Sequence, residues 1–285
     1  KLGSYNLKRK VIFMHFAQRL DNVETSAIRE LFKLLGKPGI ISFAGGFPDS
    51  AMFDVDGITQ SSQKALQENA GLALQYGATE GFGPLREQLA AFMATKGAKD
   101  VAPEQLIVTT GSQQALDLLG KCMVSPGDKV IVEGPTFLAT IQCFRLYGAE
   151  VISAPVDGNG VIVEELEKLI AEHQPKLVYL IPTFGNPSGA TLSLERRKRV
   201  LELAVKYQTL VVEDDPYGDL YFDAPPPASL LALSPEVPGS REWLAHCGSL
   251  SKVLSPGLRI GWLIANPELL AKAVMCKQFS DAHTS

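Results

Sequence analysis

The sequence predicts an α/β protein whose mostly parallel sheet is covered by helices on both faces. From residue 105 onward, short apolar segments alternate with amphipathic helical segments. The apolar segments are continuous, as is typical of strands buried on both faces. The chain has 285 residues, of which 46% are hydrophobic. This is ample for a large core and allows either one large domain or two smaller ones.

The first hundred residues are predicted to contain three helices and an extended, turn-rich segment at 37–50. Residues 1–50 are interpreted as an arm, in which 26–36 has helical spacing and ends at a glycine. Helical patterns follow at about 57–70 and 83–97.

Seven strands are predicted in the remainder of the chain. They are QLIVTTG (105–111), DKVIVEGP (128–135), EVISAPV (150–156), KLVYLIP (176–182), TLVVEDDPY (209–217), WLAHCGSLSK (243–252) and RIGWLIA (259–265). Four helices are predicted between the first five strands, at 112–124, 136–148, 163–173 and 192–207. The Pro-rich segment 223–240 is expected to end in a loop.

Composition argues against several classes of function. The formal net charge is −4, and the basic cluster at 195–199 is interpreted as a solvated helix face, so nucleic-acid binding has no electrostatic support. The four cysteines form no C-x-x-C pair, which argues against disulfides and zinc and favours a reducing, cytoplasmic setting. The histidines have no metal-ligand spacing, and no apolar run reaches the roughly 20 residues of a membrane span.

Polar side chains follow the predicted strands where each strand ends. Parallel sheets bind ligands outside the carboxyl ends of their strands, so these residues are expected to converge on one rim. They are Gly111, Ser112, Gln113, Glu133, Pro135, Phe137, Asn186, Pro187, Gly189, Asp214, Asp215, Tyr217, Ser249, Ser251 and Lys252.

A phosphate would suit one part of this rim. The glycine turn at Gly111 precedes a helix N-terminus, whose free amides and dipole favour anions, and the guanidinium of Arg259 matches a phosphate. Taken alone, Ser112 is more simply an N-cap and Arg259 a surface or ion-paired residue.

Other rim residues suit a flat, charged ring. Asp214 could pair with a protonated ring nitrogen or bind Mg²⁺, with a turn or helix-cap role equally open. Tyr217 and Asn186 could donate to a phenolate oxygen. Phe137 could stack on the ring, although an aromatic residue there is more often part of the core.

Lys252 decides between these possibilities. Desolvation and a neighbouring arginine would lower its pKa from the ordinary value of about 10.4, so that it could form a Schiff base with an aldehyde. A phosphate site, a ring-nitrogen partner, phenolate donors, a stacking ring and an aldehyde-binding lysine together describe pyridoxal 5'-phosphate (PLP).

The sequence resembles the class I and II PLP-dependent aminotransferases of fold type I. The resemblance is strongest to the 2-aminoadipate and kynurenine aminotransferases and to the aminotransferase-like domains of MocR-type regulators. It runs from residue 26 to the end of the chain. Its most specific motifs are QYGATEGFGPLRE, TTGSQQALDLL, PTFGNPSGATLS, EDDPYGDLYF and SLSKVLSPGLRIGW.

The resemblance implies roles for the rim residues. Lys252 is implied to be the Schiff-base lysine and proton shuttle, and Asp214 the partner of the pyridinium nitrogen. Asn186 and Tyr217 are implied to bind the phenolate oxygen, and Phe137, where many relatives have tyrosine, to stack on the ring. The implied phosphate ligands are Gly111, Ser112, Gln113, Ser249, Ser251 and Arg259.

Three further roles rest on the resemblance alone. Tyr76 is implied to reach the phosphate in the neighbouring subunit, which makes a homodimer obligatory. Gly46 is implied to line the pocket for the substrate carboxylate. Arg29 could meet a distal substrate carboxylate, or could equally form a surface ion pair on its helix.

The resemblance also divides the chain. Residues 1–50 would form the arm and part of a small domain, and residues 51–285 the large PLP-binding domain. Family members continue for roughly a hundred residues more, and nothing in 266–285 matches the arginine that binds the substrate α-carboxylate. The small C-terminal domain is therefore expected to be missing, and the chain to bind PLP more readily than it turns over.

The implied activity is transfer of an amino group from an L-amino acid to a 2-oxo acid such as 2-oxoglutarate, with ping-pong kinetics. The donor would be 2-aminoadipate or an aromatic or branched amino acid. Three alternatives remain open: a non-catalytic PLP-binding sensor domain of a MocR-type regulator, a truncated aminotransferase fragment, and another PLP chemistry such as C–S lysis or decarboxylation. No metal, nucleic-acid or membrane partner is expected.

Overall fold

The computed structural model describes residues 15–20 and 45–285. An eight-stranded sheet forms its centre, in the order β1-β8-β7-β6-β5-β2-β3-β4. The strands are β1 (Leu106–Thr110), β2 (Lys129–Gly134), β3 (Glu150–Asp157), β4 (Gly160–Val161), β5 (Leu177–Leu180), β6 (Leu210–Asp215), β7 (Leu244–Ser249) and β8 (Ile260–Ile264). The helices are α1 (Val55–Ala73), α2 (Gly83–Thr95), α3 (Ser112–Met123), α4 (Leu138–Leu146), α5 (Val163–His173), α6 (Leu194–Tyr207), α7 (Leu230–Leu233) and α8 (Pro267–Gln278).

The predicted strands are all present and mostly parallel. β7, β6, β5, β2 and β3 run parallel, whereas β8 lies antiparallel between β1 and β7. The prediction of seven strands omitted β4, whose two residues pair with the end of β3 after a tight turn. A pairing this short leaves no periodic signal in the sequence.

The sheet separates two apolar layers. Alternate residues of one strand enter different layers: Val178 packs with α2, α5 and α6 on one face, and Tyr179 packs with α3, α4 and α8 on the other. This arrangement agrees with the prediction of helices on both faces and of strands that are buried throughout.

Two segments differ from the prediction. The Pro-rich segment 223–240 contains the short helix α7, whose Leu230, Leu231 and Leu233 are buried. Helix α8 was not predicted, although Asn266 caps it by accepting a hydrogen bond from the Leu269 amide and Pro267 opens it. Both are signals that a helix start gives in a sequence.

The remaining expectations concern the first part of the chain and the surface. Arg29 and the helix predicted at 26–36 lie outside the described residues. Helix α1, predicted at 57–70, has no buried residue. No helix in the described ranges is both long and apolar enough to cross a bilayer, and those ranges contain no cluster of metal-binding side chains.

Candidate active site

The carboxyl ends of five parallel strands meet at one edge of the sheet. Here β1 leads to Gly111, β2 to Phe137, β5 to Asn186, β6 to Asp214 and β7 to Lys252. Because β8 is antiparallel, its N-terminal end lies at this same edge, and Arg259 immediately precedes its first residue, Ile260. The topology therefore brings together the residues that the sequence predicted to converge.

A narrow cradle lies between the turn after β1 and the start of β8. Gly111 has φ +74°, and a Cβ built there would lie 2.3 Å from Arg259 Nη2. Arg259 donates to the carbonyl oxygens of Thr110 at 3.2 Å and Pro256 at 3.3 Å. A Cβ on Gly261 would lie 2.6 Å from the Ser112 nitrogen. Only glycine permits this approach of a guanidinium to a helix N-terminus.

The amides of Ser112 and Gln113 open α3 and have no intrahelical acceptor by position, and the Ser112 nitrogen lies beside the cradle. Gly111 is the N-cap and Ser112 the first helical residue, so the alternative role of Ser112 as an N-cap is wrong. Ser249 Oγ donates to Ser251 Oγ at 2.9 Å and accepts from the Ser251 amide at 3.1 Å. The turn after β7 thus presents hydroxyl groups at the same edge.

A carboxylate that sequence reasoning missed supports the cradle from behind. Asp281 accepts hydrogen bonds from Gln114 Nε2 at 2.7 Å and Thr110 Oγ1 at 3.1 Å. Gln114 Oε1 in turn accepts from the Thr110 amide at 2.8 Å, and the Lys277 ammonium binds Asp281. The contacts of Asp281 with Thr110 and Gln114 join residues 171 and 167 positions apart, which no local pattern reveals.

Asp214 is a buried carboxylate with one unused oxygen. Its side chain is 3% exposed, and Oδ2 accepts a hydrogen bond from the Tyr179 hydroxyl at 2.6 Å. No described residue donates to Oδ1, which is also buried. Burial raises the pKa of Asp214 from 3.8 to about 6. The alternative turn-forming role belongs to the next residue, Asp215, which accepts from the Gly218 amide.

Asn186 and Tyr217 lie side by side. Asn186 Nδ2 donates to the Tyr217 hydroxyl at 3.2 Å, and burial raises the pKa of Tyr217. Phe137 precedes α4, and its half-buried ring packs on the same apolar layer as Tyr217. Three side chains able to contact a ring or its oxygen therefore border one region.

The loop that carries Asn186 is held by Arg197. The basic cluster at 195–199 was interpreted as a solvated face, and for Arg197 this is wrong, because the residue is fully buried. Its guanidinium donates to the Leu192 and Pro182 carbonyl oxygens at 2.8 and 2.7 Å and to Thr183 Oγ1 at 2.9 Å. These contacts lie on both sides of Asn186 in the chain.

The amine of Lys252 is half-buried beside the N-terminal segment. Nζ donates to the Gly46 carbonyl oxygen at 3.0 Å, so the structure brings these two predicted residues together. Burial lowers the pKa of Lys252. Burial alone accounts for the lowered pKa, so the predicted contribution of a neighbouring arginine is wrong.

Tyr76 lies apart from this group within the single chain. Its side chain is 85% exposed, and its ring meets the edge of His283 at a centroid distance of 6.0 Å.

The site as a whole can hold a planar cationic ring that carries a phosphate. The unused buried oxygen of Asp214 fits a ring N–H group, because a buried acceptor without a donor is costly. The cradle between Gly111 and Arg259 fits the phosphate. These two features define a cofactor-binding α/β protein, and they match the donor set that PLP requires.

Residues 40–283 match the model of the family "Aminotransferase class I and II", and the chain belongs to this family. It is 41% identical over 271 residues to 2-aminoadipate transaminase of Thermus thermophilus. It is 40% identical over 276 residues to aromatic-amino-acid aminotransferase 1 of Thermococcus litoralis. The matches cover 94% and 95% of this chain but 66% and 65% of those proteins.

The fold is shared with solved aminotransferases. The α-aminoadipate aminotransferase LysN of Thermus thermophilus, solved with N-(5'-phosphopyridoxyl)-L-leucine, superposes with a TM-score of 0.86 at 40% identity. The superposition covers 94% of this chain and 66% of LysN. The prediction of PLP fold type I is thereby confirmed.

The resemblance to regulators is also present. The HTH-type transcriptional regulator YisV of Bacillus subtilis is 36% identical over 204 residues, which cover 71% of this chain and 40% of that protein. Both groups named from the motifs are therefore found among the relatives.

Proposed function

We propose that this chain is the PLP-binding part of an aminotransferase that moves the amino group of an L-amino acid to a 2-oxo acid. The observation that carries the proposal is the combination of Asp214, with its unused buried oxygen, and Lys252, with its lowered pKa, at one edge of the sheet. Family membership and the two aminotransferases at 40% identity or more support it.

Each predicted residue has a role in this proposal. Ser112, Gln113, Ser249, Ser251 and Arg259 bind the phosphate in the cradle beside Gly111. Asp214 holds the ring nitrogen protonated, Phe137 stacks on the ring, and Asn186 and Tyr217 bind the phenolate oxygen.

In the proposed amino-group transfer, the protein binds the reactants and moves a proton. PLP, when bound, supplies an aldehyde for the substrate amine and a ring that accepts the electron pair of the broken Cα–H bond. Lys252 Nζ would take the proton from the substrate Cα, and burial, which lowers its pKa, favours the neutral amine that this step needs. Gly46, whose carbonyl oxygen accepts a hydrogen bond from Lys252, is proposed to border the substrate carboxylate.

The substrate class is proposed from the relatives. The two named above act on 2-aminoadipate and on aromatic amino acids according to their names, so we propose a donor of this kind and 2-oxoglutarate as the acceptor. Arg29, outside the described residues, is proposed for a distal carboxylate. The chain is also proposed to be cytoplasmic and to have residues 1–50 as the arm and residues 51–285 as the cofactor domain.

A homodimer completes the proposal. Helix α1 has no buried residue, and Tyr76 and apolar side chains around it are exposed. A second copy of the chain would cover this surface and bring Tyr76 to the phosphate of the partner's site.

The absorbance spectrum of the chain with PLP tests the proposal. A visible band that needs Lys252, and that is lost on addition of L-2-aminoadipate as a 2-oxo acid forms, supports amino-group transfer. A folded chain with no band overturns it. A band that no amino acid changes favours the sensor role seen in regulators, and release of ammonia, thiol or CO₂ instead of a 2-oxo acid favours another PLP chemistry.

A further inference from the structure

Tyr179 is a polar side chain in the middle of an apolar layer. It lies on β5, is fully buried, and packs with α3, α4 and α8 residues such as Phe144, whose ring centroid is 6.3 Å away. A hydroxyl in such surroundings is costly unless it has a hydrogen-bond partner. Its partner is a carboxylate of the site, not a backbone carbonyl.

The sheet register brings the two groups together. Tyr179 pairs with Val212 on the neighbouring strand β6, and Asp214 lies two residues further toward the site on the same face. Two residues of a strand span about 6.6 Å, a distance that a phenol side chain can bridge. The hydroxyl reaches Asp214 Oδ2 at 2.6 Å, which is short, as expected for donation to a charged acceptor.

This contact determines what the carboxylate can do. The hydrogen bond to Oδ2 holds the carboxylate in one orientation and leaves Oδ1 as the oxygen to which no described residue donates. A hydrogen bond to the charged form of a carboxylate favours ionisation, whereas burial opposes it. Burial dominates at Asp214, whose pKa is raised, and Tyr179 acts against this effect.

We propose that Tyr179 is a positioning residue that orients Asp214 and keeps it ionised, so that the ring nitrogen of bound PLP stays protonated. This inference rests on the proposed function. The mechanism already assigns Asp214 to the ring nitrogen, and Tyr179 acts on that nitrogen only through Asp214.

The test measures the ring nitrogen itself. The chain is loaded with PLP labelled with ¹⁵N in the ring, and the ¹⁵N chemical shift reports its protonation. In Tyr179→Phe, the ratio of protonated to unprotonated nitrogen is expected to fall about tenfold or more, because a hydrogen bond to a charged group is lost.

Two comparisons separate positioning from folding. Tyr147→Phe removes a similar contact, from a hydroxyl at the C-terminal end of α4 to Asp117 of α3 at 2.5 Å, and is expected to leave the ¹⁵N signal unchanged. Placement of 3-fluorotyrosine at position 179 makes the phenol a stronger donor at nearly the same size. It is expected to move the signal in the direction opposite to that of Tyr179→Phe, which a merely structural residue would not do.

The outcomes distinguish the inference from the function. If the unaltered chain binds PLP and neither change at position 179 moves the ¹⁵N signal, the inference is wrong and the function stands. If the unaltered chain does not bind PLP, both are overturned. If Tyr179→Phe fails to fold, the fluorotyrosine chain alone decides, and an unchanged signal in it contradicts the inference.

Discussion

At the scale of single residues, the burial of the Asp214 carboxylate lowers the free energy of unfolding. A rise of the Asp214 pKa from 3.8 to about 6 corresponds to about 3 kcal/mol against the ionised form in the folded chain. Below pH 3.8 the carboxyl is neutral in both the folded and the unfolded chain, and Asp214 does not lower the free energy of unfolding. This full stability is lost as the pH rises, and the loss is complete once the pH has passed about 6. Asp214 therefore destabilises the PLP-free chain at neutral pH, as expected for a residue with the proposed role in binding the ring nitrogen.

Asp214→Asn is expected to stabilise the PLP-free chain. At pH 8 the gain in the free energy of unfolding should approach about 3 kcal/mol, and at pH 5 it should be about half of this, because the buried charge is then partly neutralised. Urea denaturation at both pH values measures it. PLP affinity should fall at least about tenfold in the same variant. A gain that does not depend on pH would contradict the role of the charge.

At the scale of elements, the turn from β1 to α3 depends on a glycine for two reasons. Gly111 has positive φ, and Arg259 occupies the space of its missing Cβ. Gly127 also has positive φ, at +87°, but nothing lies within 4 Å of its Cβ position. Gly127 therefore shows the effect of positive φ without a contact, whereas Gly111 adds the contact with Arg259 and, with ψ 167°, a conformation that is essentially restricted to glycine.

Gly111→Ala is expected to destabilise the chain clearly more than Gly127→Ala, for which the backbone alone costs about 1–2 kcal/mol. Only Gly111→Ala should also weaken PLP binding, because it displaces the Arg259 guanidinium. Thermal unfolding and PLP titration measure the two effects. Equal losses in both variants would show that Arg259 moves aside freely.

Helix α6 supports the site through one arginine of a basic run. Arg197→Leu removes three donors from buried acceptors, and we expect a loss of about 2–3 kcal/mol together with weaker PLP binding. Arg199→Leu is the matched control, because Arg199 forms only exposed ion pairs with Glu167 and Glu202. Its effect should stay within about 0.5 kcal/mol. Similar losses in the two variants would contradict the role of burial.

The same arginine shows what sequence reasoning can reach. The strands and the residues that follow them were predictable, because continuous apolar runs and turn residues are local signals and parallel topology then fixes the edge of the sheet. Arg197, Tyr179 and Asp281 were misread or missed. Their roles come from partners on other elements, and a tyrosine in an apolar run looks like ordinary core until its acceptor is known.

At the scale of the whole molecule, the surface around α1 is unusual for the outside of a folded chain. Five large side chains on or next to this helix are at least 60% exposed: Met52, Val55, Leu72, Leu74 and Tyr76. Large exposed apolar side chains at both ends of one helix favour an interaction surface along it. A closed twofold dimer would bury the same surface of both copies.

The proposed dimer can be tested with two variants, because each PLP site would contain Lys252 from one subunit and Tyr76 from the other. Tyr76→Ala would lose the phosphate contact given to the partner, and Lys252→Ala would lose the covalent link within its own site, so each homodimer should release PLP readily. In a mixed dimer, one site has both Tyr76 and Lys252 and the other has neither. Unfolding and refolding of the two variants together should therefore restore tight PLP binding at about a quarter of the sites. Bound PLP after gel filtration measures this fraction without any need for turnover. A mixture that retains no more PLP than the separate variants would show that Tyr76 does not act across a dimer.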